Sequence, residues 1–174
     1  MKKSFFVLMI CQFLMIVHAE ALKISEFYPE AQVGQWILMK SSDGLLTRTQ
    51  VMAKGENKLT LKIQCFKGDR LISDSEQVVD ASEGRVLTIR LLDHGNVREL
   101  HPSKTETDDF FQIDFRPAGS GEVSVEKGLF RCKRYRGIYK DRVVRAWILD
   151  EVPILHLVKI SMQGITVQLV DYGH

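Results

Sequence analysis

This sequence carries none of the short signatures that announce a catalytic site. It has no phosphate-binding loop, no Gly-x-Gly-x-x-Gly, no His-Glu-x-x-His and no Gly-x-Ser-x-Gly, the spacings on which nucleotide binding, zinc proteolysis and serine hydrolysis depend. "SVEK" at 124–127 matches Ser-x-x-Lys by letters, but the helix start and the Lys-Thr-Gly partner are missing. His94, His101, His156 and His174 are scattered, and none stands at a spacing that closes a metal pattern. Asp108 and Asp109 read as solvated charges in a polar loop. The expectation is that the protein is not an enzyme and has no catalytic residues, no metal site and no cofactor.

Charge of one sign is scarce as well. The formal net charge is +2, too small for a general attraction to nucleic acid or acidic membranes, so no nucleic-acid partner is expected. There are four prolines, no linker rich in Pro or Ser, no internal repeat and no low-complexity tract. A chain of 174 residues then reads as one domain, long enough to bury a core unaided.

The long apolar run lies at the start. "MKKSFFVLMICQFLMIVHAEA" has two lysines, an apolar stretch from Phe5 to Val17, then small residues. These are the three regions of a secretory signal peptide, and the run is short of the roughly 20 residues of a membrane span. Residues 1–21 are assigned to the signal, with cleavage after Ala19 or Ala21, and 22–174 to one domain. Cys11 does not sit in a lipoprotein pattern. The product is expected to be soluble and periplasmic, without a lipid anchor or a membrane span.

Cysteine is nearly absent. Removing the signal leaves Cys65 and Cys132. Export places thiols where they oxidise, and both alternate with apolar residues, Cys65 in "KLTLKIQCF" and Cys132 in "LFRCKRY". A Cys65–Cys132 bridge is therefore expected, with two separate buried thiols as the alternative.

What is present is alternation. "FFQIDF" sets Phe111, Ile113 and Phe115 against Gln112 and Asp114; "GITVQLVD" sets Ile165, Val167 and Leu169 against Thr166 and Gln168. Period two reads as half-buried antiparallel strands. Strands are predicted near 34–41, 45–53, 58–66, 71–79, 85–92, 110–116, 122–126, 129–136, 143–149, 154–161 and 165–171. Turns are predicted at "SSDG", "KGEN", "KGD", "ASEG", "DHGN", "RPAGSGE" and "MQG". Helix is restricted to a turn or two in "LKISEFYPEA" before Pro29 and to about 104–110, where Ser103 and Glu106 have capping-box spacing. The fold class is mainly β: a single curved antiparallel sheet, or half-barrel, with one or two short helices. Pro153 cannot donate to a central ladder and predicts a corner. The strand after it is apolar on both faces, so it is either covered twice or lines a cavity.

Two segments carry a resemblance. "EFYPEAQVGQWILMK", through Phe27, Pro29, Gly34 and Trp36, and "AWILDEVPILHLVKISMQGITVQLVDYG", through Trp147, Val152, Pro153, Leu169 and Gly173, resemble the two ends of uncharacterised exported bacterial β-sheet proteins related to the LolA/LolB-like periplasmic half-barrels. The glycine pair usual after the Val-Pro corner is absent here; Leu155 and His156 stand near its place. The resemblance implies a concave face that holds acyl chains, and supplies no catalytic residues.

The functional expectation is a periplasmic carrier holding a lipid or lipoprotein acyl chain in the concave face. Trp36, Trp147, Leu155 and Leu157 would line it, and Arg134 and Arg145 would stand near its polar end. The alternative is a structural or protein-interaction module of the cell envelope without a small ligand. A hydrolase with an unrecognised site is a third class. The basic stretch "EKGLFRCKRYRGIYKDRVVR" reads chiefly as an exposed sheet face, where Lys and Arg guard an edge or pair with acidic neighbours such as "ETDD" at 106–109. Its other reading is a surface for an anionic headgroup or partner.

Overall fold

A computed structural model of the chain describes residues 24–93, 95–102, 113–139 and 141–174. The signal peptide, the helix expected at 104–110, Phe111 and His94 lie outside them. The described residues form one 11-stranded sheet, antiparallel throughout and not closed. The strands are β1 (Trp36–Ser41), β2 (Leu45–Lys54), β3 (Lys58–Lys67), β4 (Arg70–Asp80), β5 (Val86–Asp93), β6 (Asn96–Leu100), β7 (Arg116–Val125), β8 (Gly128–Tyr139), β9 (Arg142–Ile148), β10 (Leu157–Met162) and β11 (Ile165–Gly173). A 3-10 helix, Ile24–Glu30, precedes them and contains Pro29 rather than ending before it.

The order across the sheet is β6-β5-β4-β3-β2-β1-β11-β10-β9-β8-β7. The chain starts in the middle, meanders to one edge at β6, crosses to the other edge at β7 and meanders back to pair β11 with β1. A sheet of this width curls under its own twist. The curl carries the β7–β8 turn back to the middle strands. Lys127 bonds Asp171 of β11, and Glu126 meets Lys40 of β1 at 2.5 Å.

Alternation in sequence becomes burial in space. Val144, Ala146 and Ile148 of β9 are buried between exposed Arg145 and half-buried Trp147. Leu59 and Leu61 of β3 are buried, and Ile63 and Cys65 follow on the same face, half-exposed. The core is closed from outside the sheet. The segment 113–115 lays Ile113 and Phe115 against Gly137 of β8, and the helix adds Tyr28 and, just after it, Ala31. The corner after β9 adds Val152 and Ile154.

Four expectations need correction. Residues 113–115 are not a full strand but a crossing segment, and the "turn" at 116–122 is the first half of β7. There Pro117 lies on an edge, the one place a sheet tolerates it, and the register shifts between Pro117 and Ser120. β6, short and mostly exposed, was not predicted. Residues 154–156 belong to the corner, so β10 begins at Leu157.

The bridge is the fourth. Cys65 and Cys132 are free thiols. They lie on β3 and β8, with five strands between them, whereas a disulfide needs Cα atoms within about 7 Å. Cys65 rests beside Thr47 Oγ1 at 3.8 Å; Cys132 is 1% exposed, and burial pushes its thiol pKa up. Thiol labelling should therefore find two free cysteines per denatured chain. In the native protein Cys65 should react first, and Cys132 only on unfolding. A chain that yields no free thiol when denatured without reductant would show this placement to be wrong.

Candidate functional site

Residues directly opposite in an antiparallel pair share a face, so the register builds rows of side chains across the strands. One row runs Arg116–Arg136–Arg145–Ser161–Thr166 over β7, β8, β9, β10 and β11. The next runs Arg134–Trp147–Lys159–Gln168–Lys40 over β8, β9, β10, β11 and β1. Both rows lie on one face. The alternation of "RYR" and "RVVRAW" produces them: Arg134 and Arg136 are two apart on β8, and Arg145 and Trp147 two apart on β9.

All three arginines of the first row are exposed, and none has a carboxylate partner among the described residues. The second row is partly compensated. Lys159 Nζ stands 5.5 Å from the Trp147 ring centroid, a cation–π geometry, and Lys40 is paired with Glu126. Arg134 lies over Gly119 and Gly121 of β7. Where the second row ends, Lys40, Ser41, Ser42, Gly44, Thr166 and Gln168 line a cleft of about 250 Å³. The side chains that line it end in hydroxyl, amide and amine groups.

The sequence-predicted residues separate into two groups. Arg134 and Trp147 are brought together, opposite each other, and Arg145 lies in the neighbouring row. Leu157 is buried in the core, with no surface left for a ligand, and Leu155 is half-buried in the corner. Trp36 shares a face with Lys40 but stands at the opposite end of β1, opposite Gly173. A Cβ on Gly173 would come within 2.8 Å of the Trp36 indole nitrogen, so glycine is what lets the chain end lie against the ring. The Arg48 guanidinium covers the indole at 4.9 Å. Arg116 and Arg136 complete the first row. Arg116 was hidden in a stretch that reads as a turn.

The corner between β9 and β10 holds the helix in place. Ile154 has φ 70° and His156 φ 54°, left-handed values that non-glycine residues seldom adopt. Ile154 is 1% exposed, so its burial offsets the strain. The His156 ring stacks on Phe27 at 4.5 Å, and its Nε2 lies 3.4 Å from Glu30. Lys54 Nζ donates to the carbonyls of Pro29 and Ala31 at 2.6 and 3.0 Å, satisfying acceptors that the helix end leaves open.

The shifted titrating groups are structural. Hydrogen bonds from Lys127 and from the Tyr172 backbone hold the Asp171 carboxyl below its ordinary range, and Ser82 and the Glu83 backbone do the same for Asp80. Asp150 raises Lys133, and burial raises Tyr28. Among the described residues no group of His, Cys, Asp and Glu is arranged to hold a metal ion, and no helix is long and apolar enough to cross a membrane.

No family model matches the chain, and no curated protein does. Solved structures share its fold. A hypothetical protein from Chlamydia trachomatis is similar over 88% of this chain and 93% of its own, with TM-score 0.67 and 8% identity. PNGF-II is similar over 80% of this chain, which spans 27% of PNGF-II, with TM-score 0.51 and 10% identity. A putative exported protein with YmcC-like fold from Bacteroides fragilis aligns over 90% of this chain and 100% of its own, with TM-score 0.48 and 10% identity. At such identities the likeness to the first two extends to the fold alone.

Proposed function

We propose that this chain is an exported, non-catalytic interaction module of the cell envelope, working through the outer surface of a filled half-barrel. The observation that carries this reading is the closure of the core. Leu157, Val158 and Ile160 of β10 are all at most 8% exposed, and the corner, the helix, Ile113 and Phe115 occupy the space an acyl chain would need. The expected carrier required that space to be open. Along the Arg116 and Arg134 rows the outer face is cationic, which suits contact with a partner better than enclosure of a ligand. Export rests on the signal-like start.

Protein extracted directly from the envelope should begin at Glu20 or Leu22. In native mass spectrometry it should have the mass of the polypeptide alone. A stoichiometric acyl lipid travelling with it would restore the carrier reading and reject this one.

A further inference from the structure

We infer that the end of the sheet formed by the β8–β9 and β10–β11 hairpins docks on an anionic bilayer surface, an inference that rests on the envelope reading above. Arg116, Arg136 and Arg145 face one another in a single row. Opposed residues of antiparallel strands have Cα atoms about 4.5–5.5 Å apart, and like charges so placed disfavour the fold. Asp114 and Asp141 are the nearest carboxylates in sequence, and neither pairs with the row. Among the described residues nothing compensates this arrangement, and an anionic surface laid against the row would do so.

The apolar residues beside the row identify the anion's carrier. Ile138 follows Arg136 by two positions on the same face and is 66% exposed; Ile165, at the tip of the adjacent hairpin and on the face opposite the row's Thr166, is 52% exposed. The same end of the sheet carries exposed Leu71 and Ile72 at the start of β4 and Val97 on β6. Apolar tips with a cationic belt behind them match a bilayer interface, where aliphatic groups enter the headgroup boundary and cations meet phosphates. A soluble polyanion would use the arginines and gain nothing from the isoleucines. The small net charge does not oppose this, because with a Debye length of about 8 Å only the local field acts.

The test is co-sedimentation of the mature chain with vesicles of phosphatidylcholine, with and without phosphatidylglycerol. Binding is expected only to the anionic vesicles, weakening as salt rises. Arg136→Gln with Arg145→Gln should reduce it about 25-fold, near fivefold for each lost cation, and should melt no lower than the wild type. Ile138→Ser with Ile165→Ser should weaken binding while leaving its salt dependence intact. Failure to bind anionic vesicles, unchanged binding by either double variant, or capture of a soluble polyanion such as heparin without vesicle binding would overturn the inference. In those cases a lipid-free envelope protein would leave the module reading standing. A bound acyl chain would remove that reading whatever the vesicles show.

Discussion

Phe115→Ala should lower the melting temperature by about 6–20 °C. Phe115 is 1% exposed and among the largest fully buried side chains. Truncating such a ring costs about 3–5 kcal/mol, combining lost burial with the cavity left behind. For a domain of this size each kcal/mol is worth about 2–4 °C. The site has little means of collapsing, since Ile113 already fills the space above Gly137. The damage also falls on the segment that leads into edge strand β7. Thermal and urea melts followed by circular dichroism measure the effect. A loss under about 1 kcal/mol, typical of a surface position, would mean that the crossing segment does not close the core.

Gly137→Ala should destabilise from the opposite direction, by overfilling. An added Cβ would fall inside the contact shell of Ile113 Cγ2, and would lie 3.2 Å from the Asp114 carbonyl and 3.3 Å from Phe115 Cδ1. Overpacking costs about 1–3 kcal/mol. Because the tightest approach is to Ile113 Cγ2, Gly137→Ala combined with Ile113→Ala should lose less than the sum of the two singles, since removing the Ile113 branch opens room for the new methyl. Strict additivity in equilibrium urea unfolding would show that they do not touch.

The ladder was legible where side chains alternate. "KLTLKIQCF" and "RVVRAWI" state their inward and outward faces in the letters, and β3 and β9 follow them. "NVREL" has little such contrast, so β6 could not be read. "RPAGSG" has turn composition yet pairs as an edge, because an edge strand leaves backbone groups free to accommodate Pro117 and the bulge. The apolar letters of "PILHL" suggested strand. Their true use is a left-handed corner, which costs backbone strain that burial of Ile154 offsets. That strand's two apolar faces pointed to a cavity as readily as to double cover. The residues that fill the space are distant in sequence, and no local pattern reports them. The arginine row was out of reach for a similar reason. Its members were visible in the letters, but which strands lie side by side, and in what register, is settled only by the fold.

The pairing of β1 with β11 also bears on how the chain assembles. β1 to β6 and β7 to β11 are each a run of hairpins whose contacts join near neighbours in sequence. The seam alone in the ladder brings together the first strand and the last, Trp36 with Gly173. Closing so long a loop is entropically the costliest step, and contacts of this kind slow folding. Until it closes, each half-meander presents a bare strand edge open to pairing with other chains. A protein made from its amino terminus exposes the β1 edge for the entire time the rest is synthesised.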